Sequence, residues 1–130
     1  MKVLDTSFLI DYGNGVDAAG EYLRTNEDDV FVIPAPVYTE YLLGTVHSDA
    51  DTDIAAARQE LAWGEVAAVT EEMAVVAAAI ADEIGPQGPN LAAVDALVAA
   101  VGREFGAPVV SGDSDLTHAE TRKAIRTETY

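Results

Sequence analysis

Val3-Leu4-Asp5-Thr6-Ser7-Phe8-Leu9-Ile10 opens the chain with a short apolar run, an acid, two hydroxyl residues and a second apolar segment. The first run reads as a brief buried strand, and its last neighbour is a carboxylate. The same punctuation recurs: Val30 to Ile33 ends at Pro34 and Pro36, Val66 to Val69 at Thr70, and Val109 to Val110 at Ser111. Between these runs, Asp17 to Arg24, Val37 to His47, Asp53 to Trp63, Glu71 to Ile84 and Leu91 to Phe105 carry helical periodicity. The last two have clear apolar stripes, Met73, Val76, Ala77, Ile80, Ile84 and Leu91, Val94, Val98, Val101, Phe105. Thr70 and Asn90 are the expected N-caps, and Gly85 and Gly106 the expected terminators. Strands alternating with helices predict an α/β fold, a short parallel sheet with helices on both faces. Ligands of such sheets sit at the carboxyl ends of the strands.

The length of 130 residues suits one domain, 1–130. Seven Lys and Arg stand against 23 Asp and Glu, a formal charge of −16. A field of that sign repels nucleic acid and anionic lipid, which excludes binding through a broad basic surface. Leu, Ile, Val and Phe make up about a quarter of the chain, above the roughly 20% typical of disordered sequences, so it folds. Small Ala and Val inside and carboxylates outside suit multimolar salt, where self-repulsion is screened, and point to a halophile. Without Cys there are no disulfides and no thiolate metal sites, and His47 and His118 do not suffice for a His-rich zinc centre. Any metal needs oxygen ligands. No export signal or membrane-length apolar run is evident, so a soluble cytoplasmic protein is expected, with no membrane partner.

The strand-end rule singles out particular acids. Asp5 closes the first strand and is followed by Thr6 and Ser7; Asp113 follows the last through Ser111 and Gly112, with Asp115 two residues on. Asp95 lies four residues after Leu91 and three before Val98, which puts it on the packed stripe of its helix. A buried, unpaired carboxylate is costly and needs a partner, a proton or a metal. Glu40, three residues after Val37, faces the same edge if Val37 and Tyr41 face inward. Each has a plainer reading: Asp5 as a helix N-cap, Glu40 and Asp95 as solvated helix residues, and Asp113 with Asp115 as a turn.

Taken in order, Val3 to Ile10, Pro36-Val37-Tyr38-Thr39-Glu40, Val94-Asp95-Ala96-Leu97-Val98-Ala99-Ala100 and Val109-Val110-Ser111-Gly112-Asp113-Ser114-Asp115-Leu116 resemble the PIN-domain nucleases, in particular the small VapC-type toxins. The match spans nearly the whole chain. In an acid-rich sequence the hydroxyl and apolar neighbours carry it, rather than the acids alone. The resemblance implies a PIN-like three-layer fold and an endoribonuclease dependent on Mg²⁺ or Mn²⁺, the ions that carboxylate clusters select. It implies Asp5 and Asp95 as first metal ligands, Asp113 as a third, and Glu40 as a ligand through water or an orienter of the nucleophile. Thr6, Ser7 and Ser111 then donate supporting hydrogen bonds, and Asp115 either joins them or caps a helix beginning near Leu116. It further implies an RNA substrate, a small VapB-like antitoxin and a homodimer. An RNA-processing factor of the same fold is the alternative. A haloacid-dehalogenase-like phosphatase would need a second acid at Ser7 and a well-placed lysine, while Lys2 and Lys123 are the only lysines; a phosphorylatable receiver domain fails similarly.

The few cations are expected to balance charge: Arg122, Lys123 and Arg126 against the acidic surface, and Arg24, Arg58 and Arg103 by local helical pairing. His47 and His118 show no acid/base pattern. Tyr12, Tyr22, Tyr38, Tyr41 and Trp63 are expected mainly in the core, with some at a groove or dimer face.

Overall fold

In the computed structural model, which describes residues 1–130, five strands form one parallel sheet in the order β3-β2-β1-β4-β5. The central strand β1 (Lys2–Leu4) pairs on one side with β2 (Phe31–Pro34), Val3 opposite Val32, and on the other with β4 (Val109–Val110), Val3 opposite Val109. β3 (Glu65–Ala67) and β5 (Thr127–Glu128) are the edges. Successive strand residues face opposite sides, yet Val3 and Leu4, Val32 and Ile33, and Val109 and Val110 are all buried. Helices therefore cover both faces of the sheet, as the alternation predicts.

From β1 the chain runs through α1 (Thr6–Gly13) and α2 (Asp17–Thr25) to β2, and through α3 (Ala35–Val46) and α4 (Ile54–Glu60) to β3. Helices α5 (Glu71–Ile84) and α6 (Ala93–Glu104) lead back across the sheet to β4, and α7 (Ala119–Ala124) leads on to β5. Right-handed crossovers put α1 to α4 on one face and α5 to α7 on the other. The packing agrees: α1 touches α2 and α3, α3 touches α4, and α5 touches α6 and α7. The direction of winding reverses between β1 and β4. Their carboxyl ends thus flank the crevice where such sheets bind ligands.

Thr70 caps α5 by accepting a hydrogen bond from the Met73 amide at 3.2 Å, and Gly85 ends it at φ 69°. Met73, Ala77, Ile80 and Ile84 form the buried stripe. Helix α6 is buried nearly all round, at Ala96 and from Val98 to Gly102, because it lies between the sheet and α5. Small residues make that possible: a Cβ on Gly102 would stand 2.8 Å from the Val109 side chain.

Several boundaries differ from the sequence reading. Helix α6 starts at Ala93 with Ala92 at its N-cap and no side-chain cap, so Asn90 does not cap it; Leu91 instead packs on the core from the preceding loop. Phe105 is 41% exposed rather than part of the packed stripe, since α6 ends there. No helix begins at Leu116. Residues 114–117 form turns held by Asp113, and α7 begins at Ala119 with His118 Nδ1 accepting from the Glu120 amide at 3.0 Å. Strand β5 is a polar two-residue edge strand without an apolar signature, and periodicity could not find it. No helix is long and apolar enough to cross a membrane.

Candidate active site

Asp5 ends β1, caps α1 and is 2% exposed. Its Oδ1 accepts from the Phe8 amide at 3.0 Å and from Ser7 Oγ at 2.8 Å, and its Oδ2 from Ser7 Oγ at 2.9 Å and from Ser111 Oγ. The same two hydroxyls accept from the next loop, Ser7 from the Gly112 amide at 3.0 Å and Ser111 from the Asp113 amide at 2.9 Å. Two serines thus tie the end of β1 to the end of β4. Burial pushes the Asp5 carboxyl above its ordinary range, opposed by these hydrogen bonds and reinforced by the charge of Asp113.

Asp113 Oδ1 accepts from the amides of Asp115 at 2.8 Å and Leu116 at 3.2 Å, which fixes the turn after β4. Asp115, which the sequence leaves between two roles, does not cap this turn; Asp113 does. The carboxylates of Asp95, Asp113 and Asp115 each bring an oxygen within 4.8 Å of the others. The side-chain carboxylates of Asp95 and Asp115 receive no hydrogen bond and no ion pair from the protein, although the Asp115 carbonyl accepts from Thr121 Oγ1 at 2.7 Å. Burial pushes the Asp95 carboxyl up to about 6, with further push from the charges of Asp113, Asp5, Asp115 and Glu40. Asp95 stands in the first turn of α6, where the positive end of the helix dipole favours its carboxylate and opposes that push.

Glu40 is exposed on α3 and accepts a hydrogen bond from Thr6 Oγ1, the residue after Asp5. The structure therefore gathers all five acids at one sheet edge, but not equivalently. Asp95, Asp113 and Asp115 cluster most closely, Asp5 lies beneath in a full set of hydrogen bonds, and Glu40 stands at the rim. Oxygen-only donors, like charges and missing protein partners are the chemistry that fits a hard divalent cation.

A family model described as PIN domain matches residues 2–121. The chain belongs to the PIN domain family. No curated protein sequence matches it significantly. Among solved structures, the DNA-bound VapBC of Salmonella typhimurium is similar with a TM-score of 0.79 and 22% identity, covering 98% of this chain and 96% of that one. VapBC2 of Rickettsia felis, bound to a DNA fragment from its promoter, gives 0.78 and 14% identity over 99% and 98%. The sarcin-ricin loop cleaving toxin VapC20 of Mycobacterium tuberculosis gives 0.68 and 22% over 92% and 95%. At these identities the likeness is one of fold.

Across this PIN domain the cations are mostly spoken for. Lys2 pairs with Glu128, Arg24 with Glu21, Arg103 with Glu83 and Lys123 with Glu120. Arg122 and Arg126 donate to the carbonyls of Thr117 and Gly106. Local helical pairing holds for Arg24, but Arg103 reaches across from α6 to Glu83 on α5 and Arg58 has no acid partner; of the three cations near the C-terminus expected to balance the acidic surface, only Lys123 meets an acid, Glu120. Tyr12, Tyr22, Tyr38, Tyr41 and Trp63 pack against the core while partly exposed. The sequence reading gave Gly112 no role beyond its place in the turn motif and did not single out Tyr130; their contacts with the site become visible only in three dimensions. The sole sequence hint was the glycine inside the Ser111-Gly112-Asp113 turn.

Proposed function

We propose that this PIN domain is a divalent-metal-dependent endoribonuclease acting as the toxin of a VapBC-type pair. The observation that carries the reading is the group of Asp95, Asp113 and Asp115 beside Asp5 at the switch point of the sheet, with no protein cation to balance it. Asp95, Asp113 and Asp115 would hold Mg²⁺ or Mn²⁺, with Asp5 behind them. A bound ion of this class supplies a water of lowered pKa and positive charge for a phosphodiester. Ser7 and Ser111 keep Asp5 and the Asp113 turn in register. Glu40, at the rim and oriented by Thr6, accepts the proton of the attacking water. Phosphate binding by side chains contributes little, because four of the seven cations are committed to acids.

The VapBC structures and the sarcin-ricin loop cleaving toxin VapC20 support the toxin reading over a processing factor of the same fold. A VapB-like antitoxin and a homodimer belong to this proposal, as do a cytoplasmic location and adaptation to high salt. The phosphatase alternative finds no support at Ser7, whose hydroxyl is spent on Asp5 and Gly112. The test is cleavage of a structured RNA at high KCl with Mn²⁺ or Mg²⁺, beside Asp5→Asn and Asp95→Asn. Cutting by the native protein that is lost in EDTA and in both variants is expected. Equal cutting by all three proteins defeats the proposal.

A further inference from the structure

Tyr130 lies outside the matched family region, which ends at residue 121, yet its side chain touches the turn after β4. Its phenol donates to Asp11 Oδ2 on α1 at 2.7 Å, and its ring stacks edge-on against Phe8 of the same helix with centroids 4.8 Å apart. A Cβ on Gly112 would meet the Tyr130 hydroxyl at 3.0 Å and the ring carbon bearing it at 3.5 Å. The ring therefore occupies the space above Gly112, the residue whose amide bonds Ser7 and whose neighbours are Ser111 and Asp113. The backbone adds a second tie, because the Ser111 amide donates to the Glu128 carbonyl at 3.0 Å. Glu128 is in turn held by Lys2 at 2.8 Å and by the Tyr22 phenol.

We infer that Tyr130 is a positioning residue: it clamps the Ser111-Gly112-Asp113 turn against α1 and so sets where Asp113 and Asp115 stand relative to Asp5. The inference rests on the metal-site reading above and assigns the segment after α7 a part in it. The geometry explains why glycine occupies position 112: it makes room for the ring. Burial and the Asp11 carboxylate push the phenol above its ordinary range.

The test compares the native protein with Tyr130→Phe, Tyr130→Ala, Gly112→Ala and the Tyr130→Ala/Gly112→Ala pair, reading Mn²⁺ affinity by the free-ion paramagnetic signal and RNA cleavage as separate kcat and KM. Residues that orient metal ligands from behind typically cost about 10–100-fold when removed. Tyr130→Ala is expected to lose Mn²⁺ affinity and kcat within that range with KM for RNA little changed, and Tyr130→Phe to lose less because the ring stays on Gly112. Gly112→Ala should weaken Mn²⁺ binding alone but add nothing in the Tyr130→Ala background, where the ring is gone. Native Mn²⁺ affinity and kcat in a folded Tyr130→Ala, or a Gly112→Ala effect that is the same in both backgrounds, overturns the inference. Hydrogen exchange at the Gly112 and Asp113 amides keeps it separate from the metal proposal: faster exchange in a folded Tyr130→Ala than in the native protein supports the clamp, and unchanged exchange sinks it, even if the native protein neither binds Mn²⁺ nor cuts RNA.

Discussion

Replacing Asp95 with Asn should make the metal-free protein more stable while destroying its activity. In the folded state burial and four neighbouring acids push the Asp95 carboxyl up to about 6, whereas an unfolded chain leaves it near 3.9. The folded state therefore holds a proton that the unfolded state releases, and stability falls as pH rises through that window, remaining lower above it. A two-unit shift corresponds to about 3 kcal/mol, which solvent screening at the partly exposed Asp95 trims to about 1–2 kcal/mol. For a chain of this size that amounts to a gain of about 4–8 °C in Tm for Asp95→Asn near neutral pH in EDTA. Near pH 3 the carboxyl is protonated in both states, and the gain should vanish. The assay is thermal unfolding by circular dichroism across that pH range, with Asp49→Asn as a control for removing one charge from an exposed loop. Saturating Mn²⁺ should reverse the order, because binding at about a hundredfold excess over Kd stabilises the native protein by about 2.7 kcal/mol and the variant hardly at all. A gain no larger than that of Asp49→Asn, or one that persists in acid, would refute the shared-field argument.

Three further outcomes follow from the same geometry. Ser111→Ala removes a donor to the buried Asp5 carboxylate and the acceptor for the Asp113 amide; denaturant melts should record a loss of about 1.5–3 kcal/mol together with reduced cleavage. Gly102→Ala forces a Cβ to within 2.8 Å of the Val109 side chain and 3.2 Å of the Ala107 carbonyl, and should cost about 1–3 kcal/mol in the same melts without touching the acids. RNA cleavage should respond weakly to KCl at saturating metal, with a log–log slope shallower than about −2, since each phosphate neutralised on a single strand adds about −0.7; a slope of −4 or steeper would reveal a basic interface that the paired cations do not provide.

The architecture was legible because its signals are local and redundant. Val3-Leu4, Val30 to Ile33 and Val109-Val110 are apolar runs too short for helices, and each ends on residues that stop a strand. Their alternation with stripes such as Met73, Ala77, Ile80 and Ile84 leaves a parallel sheet as the simplest way to bury both. β5 was illegible for the opposite reason: Thr127-Glu128 is held by backbone pairing to β4 and by Lys2 and Tyr22, none of which leaves a periodic trace. The site was legible as a set of acids at strand ends but not as a division of labour. Sequence spacing cannot distinguish Asp5, whose oxygens are filled by Ser7, Phe8 and Ser111, from Asp115, which is bare. Nor can it assign the capping duty to Asp113 instead of Asp115, because that depends on which carboxylate the turn brings beneath its own amides.

The same division makes the proposed function compatible with a chain of charge −16. Most of its acids lie on the exposed surface, where salt screens them and each costs little. At the switch point screening is weaker, since burial leads the causes that raise Asp95 and Asp5. Folding supplies no cation to those carboxylates; Lys2, the least exposed of the paired cations, is turned to Glu128 on the edge strand β5. The repulsion is therefore kept in the folded protein and made available to a ligand. A divalent ion entering that group relieves the strain and reverses the sign of the field where a phosphate would approach. Under the proposed function, affinity for metal and tolerance of RNA would have one physical origin, so substitutions that quiet the acid cluster should stabilise the metal-free protein and weaken the loaded one in step.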